Sequence, residues 1–278
     1  MAFAQKNIRR IIYILCAISL VITFFLPLNL PIAISDETRK FYDTLESLEG
    51  TGKAVLVIFT IPPAFWGEMY HTMFSALQHI FLLKDVKLVL VPVFAAPGVG
   101  LVNSLLRELY NPLNKTYGVD YVMLQFIPSM VGPALAAMAD NFRATFQTDI
   151  RGTPIDKLPI MENINTLDDF GVVIFACPAK EHPSLAVVLY PRYPKMTYLA
   201  ICMAGGYMFI APYLGNVYKA GLWGITMAAE YQQLFGGPYT AARQQCDGIS
   251  LYHILGLLML VLGNIIGFRE IVKKKGGS

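Results

Sequence analysis

The sequence predicts an α/β protein, a mostly parallel five-stranded sheet with helices on both faces, flanked by two transmembrane helices. Three observations predict it. Short β-branched runs alternate with helix-length segments between residues 53 and 235. Long uncharged runs lie near both ends of the chain. Of 278 residues 55% are hydrophobic and only 15% charged, with a mean hydropathy of +0.50. Soluble domains carry roughly a quarter charged residues, so the composition points to a membrane. It also excludes disorder, collagen-like repeats and a disulfide-rich scaffold. A net charge of +3 is too small for a nucleic-acid binder.

The first element is the run over residues 11–34, IIYILCAISLVITFFLPLNLPIAI, uncharged and longer than the roughly 20 residues a crossing needs. Lys6, Arg9 and Arg10 precede it and favour a cytoplasmic N-terminus. The last is residues 249–268, ISLYHILGLLMLVLGNIIGF, followed by Arg269, Lys273, Lys274 and Lys275. Two crossings put both termini in the cytoplasm and the intervening domain outside it. The charges agree: three basic residues in the head give +3, and four basic and one acidic in the tail give +3. Residues 36–248 hold fifteen basic and eighteen acidic residues, −3. A further crossing over 198–218 would put the basic ends on opposite sides, so that stretch is read as part of the α/β domain. The organisation is an anchor over 1–35, an amphipathic linker helix over 36–52, an extracytoplasmic domain over 53–248 and a second anchor with a basic tail over 249–278.

Within the domain the first strand is residues 53–60 (KAVLVIFT), ended by Pro62 and Pro63 and followed by a helix over 65–83. The second is 87–94 (KLVLVPVF) with a helix over 99–110; its Pro92 cannot donate to a ladder and predicts an edge position or an early end. The third is 120–127 (DYVMLQFI) with a helix over 131–146, and the fourth 171–177 (GVVIFAC) with a short helix over 182–190. The fifth is 196–203, closed by a long helix over 213–234. Strand–crossover–strand at this spacing is the right-handed βαβ unit.

Three segments, YGVDYVML (117–124), GTPIDKLPIM (152–161) and GITMAAEYQQL (224–234), resemble a group of uncharacterised bacterial membrane proteins with a Rossmann-like domain between two membrane helices. The resemblance implies a Rossmann-like fold and a place in the bacterial inner membrane. It implies no activity.

Ligands of open α/β sheets bind at the carboxyl ends of the strands. There AAPGVG contributes Gly98 and Gly100, an approximate phosphate-cradling turn without GxGxxG spacing or a following lysine, and Gly205–Gly206 offers backbone access. Glu68 and His71 share a helix face as a weak acid–base pair, with His79 two turns on. Glu230 follows a nearly uncharged stretch and needs a partner, for which Lys219, Arg243 and strand-end amides are at hand. The four cysteines form no CxxC, and neither a metal nor a cofactor is implied. In the second anchor Gly256, Gly263 and Gly267 line one face beside the polar Asn264, a helix-packing signal.

The functional expectation is a non-catalytic membrane-anchored protein that assembles with itself or scaffolds a membrane complex. Its partners are the lipid bilayer and other copies or subunits. The alternatives are a small-ligand-binding or sensory module at the strand-end crevice and, third, an enzyme there.

Overall fold

A computed structural model describes residues 2–237 and 240–275 of the chain. The chain forms two compact units, one of residues 33–237 and one made from both ends, residues 1–32 with 238–278.

The larger unit is built on six parallel strands: β1 (Ala54–Phe59), β2 (Lys87–Pro92), β3 (Tyr121–Met123), β4 (Phe170–Ala176), β5 (Tyr198–Cys202) and β6 (Tyr218–Trp223). Their order, β3-β2-β1-β4-β5-β6, is that of a doubly wound sheet, with the switch between β1 and β4. Five strands were expected. The sixth lies inside the expected 213–234 helix, which is instead β6 followed by a shorter helix beginning at Gly224. Gly221 sits tightly within β6: a Cβ there would meet Ile210 Cδ1 at 3.1 Å and the Ala200 carbonyl oxygen at 3.3 Å.

Alternate strand residues feed two separate cores. Val55, Val57 and Phe59 of β1 point to one face, and Ala54, Leu56 and Ile58 to the other. The first face is covered by α2 (Asp36–Glu46), α3 (Trp66–Leu82), α4 (Ala96–Tyr110) and α9 (Gly224–Leu234). The second is covered by α5 (Val131–Asp140), α6 (Phe142–Thr145), α7 (His182–Val188) and the single turn α8 (Tyr207–Ile210). The expected 131–146 helix breaks at Asn141, whose extended backbone and side-chain bond to Ala144 N–H start α6. Pro92 closes β2, an interior strand, so the proline marks an early end and not an edge. The 198–218 stretch contains interior strand β5 and no membrane crossing.

In the unit made from the chain ends, α1 (Ala2–Phe25) packs against α10 (Ala241–Lys275). Gln244 Nε2 donates to the Thr23 carbonyl at 2.9 Å, and Asp247 accepts the N–H groups of Asn29 and Leu30 at 2.9 and 3.0 Å. One described helix, over Ala241–Ile265, is long and apolar enough to cross a membrane. The expected span over 11–34 is helical to Phe25, within the 24-residue α1, and the chain leaves the helix two residues before Pro27.

His182 is buried under this sheet. Its Nε2 donates to the Cys177 carbonyl at 3.2 Å, leaving Nδ1 to accept from the Tyr218 hydroxyl at 3.1 Å. Burial drives its pKa down to about 4, against the pull of the Cys177 and Ile201 carbonyls. Below an ordinary value near 6.5 the unfolded chain takes up a proton that the fold refuses. The stability contribution is therefore complete above about pH 6.5 and lost toward pH 4, a total of about 3 kcal/mol. Thermal unfolding of the whole chain should show this slope. His182→Gln, which keeps a donor toward Cys177, should flatten it by about one proton, and an unchanged slope would refute the assignment.

Candidate functional site

The residues singled out in the sequence gather at the carboxyl edge of the sheet, but most are committed to the fold. Gly98 lies in the first turn of α4, where a Cβ would come within 2.5 Å of the Ile61 carbonyl oxygen. Gly206 ends a single 3₁₀ turn, where a Cβ would collide with the Pro178 carbonyl oxygen and approach Cys202 Cβ to 2.9 Å. These contacts join the segments after β1 and β4 to their neighbours, so both glycines serve backbone-on-backbone packing. A Cβ on Gly100 would meet open space, and one on Gly205 only Met203 Cε at 3.5 Å.

Glu68 starts α3, and its Oε1 accepts the N–H of Ala204 at the end of β5. It thereby ties two strand-end loops together. His71, one turn later, is buried against the Tyr70 ring and its pKa is lowered by that burial. His79 lies between the rings of Tyr42 and Phe235, stacked at 4.9 and 5.4 Å. Its Nε2 meets Glu46 Oε1 at 3.0 Å and its Nδ1 the Tyr231 hydroxyl at 2.5 Å. Desolvation lowers the His79 pKa although Glu46 opposes it, so we treat the contact as a hydrogen bond from a neutral imidazole and not as an ion pair. No group of three metal-ligating side chains occurs among the described residues. Burial raises the thiol pKa of Cys177 and Cys202.

Glu230 is the buried carboxylate that the sequence flags, and its partners lie elsewhere than expected. Its Oε2 accepts Ser35 N–H at 2.9 Å, Ser35 Oγ–H at 2.6 Å and Thr38 Oγ1–H at 2.8 Å. Ser35 is the N-cap of α2, so one carboxylate on α9 fixes the start of a helix 195 residues away in sequence. Sequence signals the cap, a serine before Asp36 and Glu37, but nothing in it pairs that cap with Glu230. A pocket of about 350 Å³ lies beside this lock, lined by Ser35, Ala204, Trp223, Gly224 and Glu230.

An open cavity of about 360 Å³ lies on the other face, between the end of β2 and the loop after β4. Phe94, Met130, Gly132, Lys180, Glu181 and Ser184 line it, and only Lys180 and Glu181 are charged. On α10, Gly256 and Gly263 face open space and flank a groove of about 410 Å³ that includes Asn264. Among the described residues nothing hydrogen-bonds the Asn264 amide. The side-chain surroundings of Gly267 lie outside the described residues.

Comparisons with protein-family models, curated proteins and solved structures find no match to this chain.

Two predictions follow from these assignments. Gly98→Ala and Gly206→Ala should each destabilise the protein by roughly 1–3 kcal/mol in thermal unfolding. Gly100→Ala and Gly205→Ala should be near neutral, and equal effects in the two pairs would contradict the packing role. Glu230→Ala strands the Ser35 and Thr38 hydroxyls and should cost about 2–3 kcal/mol. Glu230→Gln, which still accepts hydrogen bonds, should cost less, and hydrogen exchange should report early loss of protection in α2.

Proposed function

We propose that this chain is a membrane-anchored, non-catalytic protein whose Rossmann-like α/β domain self-assembles or scaffolds a membrane complex. In this reading both ends cross the bilayer, the basic termini lie in the cytoplasm and the domain is extracytoplasmic. The basic head and tail and the net-acidic middle support that orientation.

The observation that carries the reading is the open face of α10. None of its apolar window is fully buried, Gly256 and Gly263 leave a groove, and Asn264 presents an amide there. In lipid, small residues permit close helix approach and a polar side chain seeks an interhelical partner. The partner best suited to that groove is the same helix of another copy. The non-catalytic reading is supported by the hydrogen bonds that engage two of the three acid–base candidates, Glu68 and Glu230. The cavity at Phe94 and Lys180 favours a second reading, in which the domain binds a small molecule.

Native mass spectrometry after gentle extraction tests both readings. Assembly predicts a defined multiple of 30.9 kDa. Gly256→Leu with Gly263→Leu should shift it toward monomer. A monomer with a stoichiometric small adduct would favour the second reading, and an oligomer unchanged by the leucines would sink the helix-face account.

A further inference from the structure

The two edges of the sheet differ in chemistry. At the amino edge the loops before β1 to β5 carry charge, including Glu49 and Lys53 before β1, Lys84 and Asp85 before β2, Asp120 before β3, Asp168 and Asp169 before β4, and Lys195 before β5, whereas residues 214–217 before β6 carry none. At the carboxyl edge residues 60–67, 93–104, 124–139 and 203–213 contain no charged residue. Glu68 is bonded to Ala204, so Lys180 and Glu181 supply the remaining charge of the strand-end loops. Large apolar side chains stand exposed there: Phe65 after β1, Phe94 after β2, Met130 after β3, and Tyr207 and Met208 after β5. Isolated exposed apolar residues are ordinary, but an apolar rim drawn from the ends of β1, β2, β3 and β5, interrupted by charge only at Lys180 and Glu181 after β4, marks a docking surface.

We propose that this carboxyl edge rests on a lipid bilayer, with Phe65, Phe94, Met130 and Met208 at the headgroup–acyl boundary. The proposal goes beyond assembly and rests on the anchored part of the reading above. Two features select lipid over a protein partner. The chain enters the domain at this edge, because Ser35 is fixed to Glu230 beside Ala204 and Trp223. Only four residues lie between Ser35 and Leu30, which is bonded to Asp247 of α10, so the five-step tether reaches at most about 18 Å. A surface so tethered meets the bilayer at high effective concentration, and weak insertion then suffices. The rim also has the composition of an interfacial belt. The Tyr207 and Trp223 rings are 4.6 Å apart, and Trp66 follows Phe65. With little positive charge on the rim, docking requires no anionic lipid.

The two tryptophans of the chain, Trp66 and Trp223, both belong to this edge and serve as native probes. The full chain is reconstituted into phosphatidylcholine vesicles, with or without acyl-chain-brominated lipid. Bromine should quench tryptophan emission by roughly half, since interfacial groups lie within reach of the upper acyl chain. The quenching should persist at high salt, and Phe65→Glu with Met208→Glu should remove most of it while leaving thermal unfolding in detergent unchanged. Emission quenched by aqueous acrylamide but not by bromolipid would place the edge in water and overturn the proposal. Emission shielded from both would assign the edge to a protein contact and equally overturn it. Vesicle flotation after an alkaline wash separates the two claims. A chain that floats with unquenched tryptophans refutes the docked edge alone, and one that does not float refutes the anchor as well.

Discussion

Burial of the sheet on both faces is the constraint from which the rest follows. All six residues of β1 are buried, and each adjoining strand alternates its side chains between two cores. A parallel sheet of this kind exists only with helices above and below it. One side uses the βαβ crossovers α3 and α4, and the other uses α5 and α7. The crossovers do not supply every cover needed over the β5–β6 half, so α2 and α9, from opposite ends of the domain, complete it. Glu230 makes that completion specific. A carboxylate accepting three hydrogen bonds in a buried site fixes where α2 starts, and the Tyr42–His79–Phe235 stack packs the same seam.

The same constraint accounts for how the side chains and glycines at the strand ends are used. The switch point between β1 and β4 is where a doubly wound sheet places its ligand. Here two glycines bring neighbouring backbone against the carbonyls of Ile61 and Pro178, and Glu68 clamps the loop after β5. Side chains that would carry proton transfer instead hold loops and helices together. The exposed apolar surfaces are the strand-end residues and the glycine groove of α10.

Much of this was legible in the residues. Strands β1, β2, β4 and β5 announce themselves as continuous β-branched or apolar runs because both their faces are covered. β6 does not: YKAGLW contains a charge, an alanine and a glycine, and its small residues continue at helical spacing into Gly224 and Ala228. It is a strand by its parallel pairing along β5, a contact that no local pattern records. The first apolar run reads as one span by composition, and its helix ends at Phe25, just before Pro27. Glu230 was visible as a buried charge in need of a partner, whereas its partner was not, since a contact across 195 residues leaves no local pattern. Gly98 and Gly206 were visible as necessary glycines. Whether they admit a ligand or a neighbouring backbone is decided in three dimensions.

The account stands most directly on the claim that the glycine face of α10 meets a second copy in the membrane. Cysteine cross-linking in native membranes measures this, with the wild-type chain as control for its own free thiols. Gly256→Cys and Gly263→Cys should yield a dimer-sized species under mild oxidation, and Val261→Cys, on the opposite face of the helix, should not. Equal cross-linking at all three positions, or none at the glycines, would contradict the account.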